Sequence, residues 1–252
     1  MVLAALPLNA CSDERRVMLE LLWGKGFDRP GSIRLLEELM APVVGDVGKR
    51  LLDLSAGYGG ACRRLIDDFG FRITISDHYT TPISVSAGEE VTVASFNLDT
   101  DAIPADQYDC VMMCEGFCTL SNKVDALGKL MKALKPQGHL FLLDCILGGS
   151  RDLSGGVRQW LRDENKQPWS LRQFELSFEG LGFEMKTADD ISDRYKTLVL
   201  WGWAGFLQIL QKNKPDRNAR KEILGEAERW FRFLGLLESR GLRVYRFHAV
   251  KI

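Results

Sequence analysis

One short stretch constrains this chain more than any other. Arg50–Leu54 is a near-continuous apolar run (RLLDL) that passes through Ser55-Ala56-Gly57-Tyr58-Gly59-Gly60 into a helical pattern starting at Ala61. A strand buried on both faces reads as such a run, because neither face can carry solvated side chains. Glycines after it let the backbone turn sharply and approach a ligand closely. Strand, glycine turn and helix together form the opening unit of a doubly wound parallel sheet, whose ligands bind outside the carboxyl ends of the strands. A nicotinamide-binding turn needs G-x-G-x-x-G; here Gly57 and Gly59 are followed by Cys62, which argues against an oxidoreductase.

The remainder alternates in the way such a sheet requires. Strands are predicted at Arg72–Ser76, Val91–Phe96, Tyr108–Met113 and His139–Leu143, and helices at Ala61–Phe69 and Lys123–Leu134. Helices over Arg15–Trp23 and Ser32–Met40 precede the sheet. Gly148–Trp169, rich in Gly and Arg, reads as a loop or lid. A helix is expected at Leu171–Leu181, a strand at Phe183–Ala188, two inserted helices at Tyr195–Leu210 and Arg220–Arg240, and a last strand at Leu242–Val250. The expected fold class is therefore α/β: a doubly wound, mostly parallel seven-stranded sheet with a helical cap inserted late in the chain. The simplest organisation is one domain over 1–252, with N-terminal helices to 44, a ligand-binding core over 45–147, lid and cap over 148–240 and a final strand from 241.

Composition excludes several classes of function. Of the 252 residues 46% are hydrophobic and 27% charged, enough for a full core. The formal net charge of -1 gives no electrostatic footprint for nucleic acid. The basic run Lys212–Lys221 reads as a solvated loop. The first residues, MVLAALPLNAC, lack a basic start and are interrupted by Pro7, so no signal peptide and a cytoplasmic location are expected. No run approaches the ~20 apolar residues of a membrane span. The six cysteines lack any C-x-x-C pair or zinc spacing, so no metal is expected and they read as reduced, buried apolar residues.

Three carboxylates follow successive strands: Asp53, Asp77 and Asp99. Asp77 is placed to accept from two ribose hydroxyls, and Asp99, with Asn97 and Leu98 before it, from an adenine amino group. Acids along one sheet edge favour a zwitterionic sulfonium ligand carrying an ammonium group and disfavour a pyrophosphate. His78, beside Asp77, is a further cofactor contact.

These residues resemble those of class I S-adenosylmethionine (SAM)-dependent methyltransferases. Asp53–Gly60 resembles the first motif, D/E-x-G-x-G-x-G. Asp99–Pro104 followed by Tyr108-Asp109 resembles the third- and fourth-strand motifs, and Leu134-Lys135-Pro136-Gln137-Gly138 resembles the turn before strand five. The resemblance spans roughly residues 45–147. Within the class, Ala56–Ala61 followed by Arg63 is similar to the sarcosine/dimethylglycine and phosphoethanolamine N-methyltransferases, as is the spacing of Asp190-Ile191-Ser192-Asp193-Arg194-Tyr195. Two departures stand out: Ser55 replaces the first glycine, and His78–Glu90, with Pro82 and Gly88, lacks the helical periodicity usual between strands two and three.

The resemblance implies a Rossmann-like fold, SAM as cofactor and a small-molecule acceptor, with an amine nitrogen favoured by the Tyr58 motif and an acidic rim. Methyl transfer from a sulfonium is an in-line displacement, so the protein chiefly binds, aligns and excludes water. Asp53, Ser55, Gly57, Tyr58, Gly59, Asp77, His78, Asn97, Leu98, Asp99, Cys114 and Glu115 are the expected cofactor contacts. Glu115, Asp144 and Tyr195 are the expected catalytic residues. An acid at the Asp144 position faces the acceptor amine in the resembled phosphobase enzymes; a cap or ion-pair role competes for both acids. Trp160, Trp169, Trp201 and Trp203 are available for an aromatic cage or for cap packing. His139 and His248 are expected to be structural, as is Asp109. An O-methyltransferase acting on a phenol or carboxylate, and a non-catalytic binding subunit, are the competing readings. The apolar face of Leu198–Leu210 leaves open a homo-oligomer, a partner subunit or a lipid contact.

Overall fold

Leu51 and Leu52 are adjacent, fully buried, and enter different cores from opposite faces of β1 (Arg50–Asp53). β1 is an interior strand of a seven-stranded sheet completed by β2 (Arg72–Ser76), β3 (Val91–Ala94), β4 (Tyr108–Cys114), β5 (Leu134–Leu147), β6 (Phe183–Asp190) and β7 (Leu242–Lys251). The computed structural model describes residues 13–43, 48–76, 91–94, 96–149 and 153–252. The strand order is β3-β2-β1-β4-β5-β7-β6. β1 to β5 are parallel, and β7 runs antiparallel between β5 and β6. The order reverses between β1 and β4, which places the binding crevice of an open sheet at their carboxyl ends.

Helices cover both faces. One core packs α2 (Ser32–Met40) and α3 (Gly60–Asp67) on the sheet through Leu36, Leu39, Met40, Cys62 and Leu65. The opposite core packs α4 (Lys123–Ala133) and α6 (Leu171–Leu181) through Leu127, Leu130, Phe174 and Phe178. α6 begins at a capping box, where Ser170 and Gln173 satisfy each other's backbone amides, and ends at Gly182 with φ 82°. A third core joins α1 (Asp13–Trp23), α5 (Gly155–Asp163), α7 (Ser192–Lys212) and α8 (Arg217–Glu238) over the crevice side. α7 and α8 are the two inserted cap helices between β6 and β7.

Four expectations need correction. The supposed lid contains α5, capped by Ser154, whose side chain accepts from the Val157 amide, and anchored by buried Val157 and Trp160. Its Gly155-Gly156 start hides the i, i+3 apolar spacing behind poor helix formers. Strand five begins at Leu134, before the Pro136-Gln137-Gly138 turn: Tyr108 pairs with Leu134 but Cys110 with His139, so the turn bulges out of β5 with Gln137 at φ 62°. Trp201 is 60% exposed and is therefore not cap packing. Strand three is shorter than expected: β3 ends at Ala94, which pairs with Ser76, and Phe96 lies outside it. Residues 77–90, with Asp77, His78 and the segment expected to lack its helix, lie outside the described residues. Among the described residues no helix is long and apolar enough to cross a membrane.

The two strand histidines sit in the sheet, away from the crevice. His139 Nδ1 and His248 Nε2 are 2.9 Å apart and their rings stack, with Phe141 stacked on both. Burial, then the charge of His139, lowers the His248 pKa to about 4. The folded chain therefore binds fewer protons at this site than the unfolded chain between pH ~6.5 and ~4. Stability should be complete above that window and fall as pH drops through it, by up to roughly 1.4 kcal/mol per pH unit. Urea unfolding at stepped pH measures this, and His248→Phe should flatten the slope; an unchanged slope refutes the assignment.

Candidate active site

The crevice is built where β1 and β4 end. Asp53, fully buried, accepts from the Ser55 amide at 2.9 Å and from its hydroxyl at 3.2 Å, and the same hydroxyl accepts from the Cys114 amide at 2.8 Å. This chain of bonds ties the β1 carboxyl end to that of β4 and gives Ser55 a task that glycine has no side chain to perform. Beyond it, Gly57 and Gly59 hold φ values of 55° and 87°. A Cβ at Gly57 would lie 2.7 Å from the Asp28 carboxylate. Non-glycine residues resist this conformation and the space is already taken. Gly60 donates its amide to the Gly26 carbonyl at 2.9 Å, and a Cβ on Gly26 would meet the Gly60 backbone at 2.5 Å. The 24–31 loop is thereby pinned against the glycine turn.

That loop brings in Asp28 and Arg29, which sequence reasoning missed. Arg29 donates to Asp28, to the Ser55 carbonyl at 2.9 Å and to the Cys114 carbonyl at 2.5 Å, so one guanidinium spans both strand ends. Burial works to lower its pKa, but Asp28 and then Glu115 hold it well above the usual arginine value, and it remains charged. Gly24-Lys25-Gly26 and Pro30-Gly31 mark a turn in the sequence, yet nothing local shows where its Asp-Arg pair lands. Burial pushes the Cys114 thiol up to about 12, against the opposing charge of Arg29, so it is neither a nucleophile nor a base at neutral pH.

Glu115 and Tyr195 meet. The buried Tyr195 hydroxyl donates to Glu115 Oε1. Glu115 sits in the left-handed region, φ 59°, with its amide donating to the Leu143 carbonyl of β5 at 2.6 Å. Non-glycine residues hold that conformation at a cost of ~1–2 kcal/mol, and such positions gather at functional sites. Burial, then the Glu115 charge, holds the Tyr195 phenol well above its usual pKa, so it is a hydrogen-bond donor. Arg229, raised chiefly by Glu164 and Glu226 against burial, also acts on Glu115. Trp230 and Phe233, rather than the four tryptophans read from the sequence, pack around the Tyr195 ring. Trp160 stacks on Phe233, Trp169 meets Phe117 and Phe174, and Trp203 meets Phe206.

Asp144 and Asp99 have different surroundings from those expected. Asp144 is 1% exposed, and its oxygens accept from the Cys118 and Cys145 amides at 2.9 and 2.7 Å. Cys118, Asp144 and Cys145 bring their donor atoms within 4.8 Å of one another, a grouping the linear cysteine spacing conceals. The Cys118 thiol is held well above its ordinary pKa by its hydrogen bond with Cys145 and by burial. The Asp99 carboxylate accepts from the Ser121 and Asn122 amides ahead of α4, and Asn97 accepts from the Asp99 amide at 3.0 Å. Leu98 is buried in the sheet core and Tyr58 packs under the cap, with Arg16 over its ring. Asp109 is structural, bonded to Lys135 and the Arg50 amide.

With the crevice laid out, its kinship can be read. Residues 27–188, more than half of the chain, match a family of methyltransferase domains. The chain belongs to this methyltransferase family. Over 107 residues it is 26% identical to the ubiquinone/menaquinone biosynthesis C-methyltransferase UbiE of Pseudomonas syringae pv. syringae, covering 38% of this chain and 42% of that protein. The chain thus spans under half the length of the curated relatives it matches. Its structure is similar to Haemonchus contortus phosphoethanolamine N-methyltransferase 2, solved with phosphomonomethylethanolamine and S-adenosylhomocysteine, at TM-score 0.85 and 19% identity, over 96% of this chain and 58% of that one. A candidate sarcosine dimethylglycine methyltransferase from Galdieria sulphuraria is similar at TM-score 0.77 and 17% identity, over 95% and 97% of the two chains. At such identities the likeness establishes the Rossmann-like methyltransferase fold, and the chemistry has to be argued from the site.

Gly57→Val and Asp53→Ala should each abolish binding of S-adenosylhomocysteine in calorimetry. Gly57→Val forces a side chain into the Asp28 carboxylate, and Asp53→Ala removes the anchor of Ser55. Unchanged affinity in both variants defeats the crevice assignment.

Proposed function

We propose that this chain transfers a methyl group from SAM to a small-molecule acceptor, with an amine nitrogen as the receiving atom. The observation that carries the reading is Glu115, a carboxylate held on strained backbone at the end of β4 and fixed by the buried Tyr195 hydroxyl. Two features fit SAM itself: the positive-φ glycine cradle at Gly57 and Gly59, and the buried Asp53 beneath it. Asp53, Ser55, Gly57, Tyr58 and Gly59 would hold the cofactor from the β1 side, and Asn97, Leu98, Asp99, Cys114 and Glu115 from the other, with Asp77 and His78 on the ribose side. Bound there, the sulfonium supplies the methyl group, which leaves by in-line displacement.

The chain's own residues handle the acceptor. A protonated amine has no lone pair for attack and must first lose a proton. Glu115 accepts that proton or holds the ammonium by charge, and Tyr195, kept as a phenol, donates to the carboxylate and fixes its direction. Arg29 keeps the strand ends together and balances Glu115. The third core places aromatic and aliphatic side chains over this end of the sheet, which excludes water. Asp144, with its oxygens on backbone amides, braces β5 against the Cys118 turn and adds negative potential behind the acceptor.

A second reading, O-methylation of a carboxylate, is favoured by Lys166, whose ammonium is close enough to Asp144 and Glu115 to feel both. Methyl-transfer assays over amine, phenol and carboxylate panels separate the two. Amine turnover is expected, with Glu115→Gln lowering kcat by ~10²–10⁴. Tyr195→Phe should cost about tenfold, as loss of a charge-assisted hydrogen bond of roughly 1.4 kcal/mol. Turnover confined to phenols or carboxylates sinks the amine assignment.

A further inference from the structure

Beside the carboxyl end of β5 lies a second cavity of about 370 Å³, within the range of small-ligand sites. Its walls are mixed in a particular way. Leu147, Leu153, Leu161 and Trp169 form an apolar side, Lys123 and Lys166 supply two positive charges, and among the described residues no acidic one lines it. Lys123 is only 5% exposed, and its ammonium donates to the Leu120 carbonyl at 2.5 Å, leaving two N–H groups. Lys166 is half-buried with its ammonium 5.5 Å from the Trp160 ring centroid. Among the described residues it makes no ion pair and no side-chain hydrogen bond. Asp144 lies behind the lysines with its oxygens already on two amides, so it moderates their charge without reaching into the cavity.

An ammonium drawn out of water without a direct acceptor is costly, and an anion seated against it removes that cost. Apolar walls beside it select a ligand with an apolar body over a bare inorganic ion. Burial alone lowers the Lys166 pKa, but the charges around it raise it overall, so it faces the cavity as a cation; at Lys123 burial holds the pKa below the usual lysine value, against the opposing pull of neighbouring groups such as Asp144.

We propose that this cavity binds an amphiphilic anion, a carboxylate or phosphate monoester on an apolar body, with the acid group on Lys166 and Lys123 and the body against Leu153, Leu161 and Trp169. The cavity shares no lining residue with the one at the ends of β1 and β4, and the proposal does not depend on the methyl-transfer reading.

The test is equilibrium binding to the full chain without cofactor, followed by calorimetry and tryptophan fluorescence. The probes are octanoate, octyl phosphate, octanol and inorganic phosphate. At least one amphiphilic anion should bind ~10-fold or more tightly than both octanol and inorganic phosphate, and the ratio of the two anions identifies the acid group. Lys166→Met should weaken the anions about tenfold and leave octanol unchanged, while Lys166→Arg retains them. Leu153→Asp, which adds a like charge at the wall, should weaken the anions without touching Lys166, and serves if the lysine variant fails to fold. Octanol binding as tightly as octanoate, inorganic phosphate matching octyl phosphate, or anion affinity unmoved in both Lys166→Met and Leu153→Asp overturns the proposal. Unaltered S-adenosylhomocysteine affinity in the same variants keeps a failure here distinct from a failure of the methyltransferase assignment.

Discussion

Two neighbouring parallel strands that send their following chains to opposite faces of a sheet create a local shortage of hydrogen bonds. At the carboxyl ends of β1 and β4 the ladder stops, the backbones part, and the freed polar groups are too deep to be left to water. Here the shortage is met by side chains. Ser55 links the Asp53 carboxylate to the Cys114 amide, and Arg29 takes the carbonyls of Ser55 and Cys114. The crevice, the positive-φ glycines and the strained Glu115 all hang on that stitch. It also explains how a serine serves where the related motif has a glycine: its hydroxyl is the middle of the chain of bonds.

Charge around the acceptor end is arranged as alternating neighbours rather than as a field of one sign. Glu115 lies in reach of Arg29 and Arg229; Arg229 in turn binds Glu164, and Glu226 holds Arg15 and the Trp230 indole. A carboxylate so surrounded is oriented by several neighbours rather than by a single tight ion pair. Removing any one cation leaves a buried anion short of a counter-charge, which is more costly than the pair was favourable. The network also joins α1, α5 and α8, so the cap helices and the strand ends are held by the same set of charges.

Much of the fold was legible because its signals are local. Apolar runs at Arg50–Leu54 and Tyr108–Met113 and the one-sided apolar face of Lys123–Leu134 each speak within a dozen residues. The α6 bounds agree with the sequence reading, and β7 with it to a residue. What stayed hidden depends on separation along the chain. Arg29 meets Cys114 across 85 positions, and Tyr195 meets Glu115 across 80. Glu115 and Tyr195 were each named from the end of a strand and the start of the cap, but their contact with one another was not. Asp99 follows strand three and is expected at the adenine; that its carboxylate also accepts from the amides that open α4 is a contact no spacing reveals. Cys118 and Cys145 lie on a turn and a strand that only the sheet brings together. Lys166 follows α5 within the stretch that reads as a loop or lid, because Gly155 and Gly156 at the start of α5 hide the helix in the sequence.

The placement of β7 has a consequence for how the chain reaches this state. β6 has β7 as its one partner in the sheet, and between them come residues 191–241, the whole α7–α8 hairpin. During synthesis β6 therefore emerges with no strand to pair with, and β5 presents an open apolar edge beside it. Both wait until the last strand slides between them and seats Phe247 against Phe174. Closing so long a loop is entropically slow, and the unfinished edge is a template for pairing with other chains. The cap helices, which form from local contacts, thus act first as a spacer that must deliver β7 to its slot between β5 and β6 and only afterwards as the roof of the site.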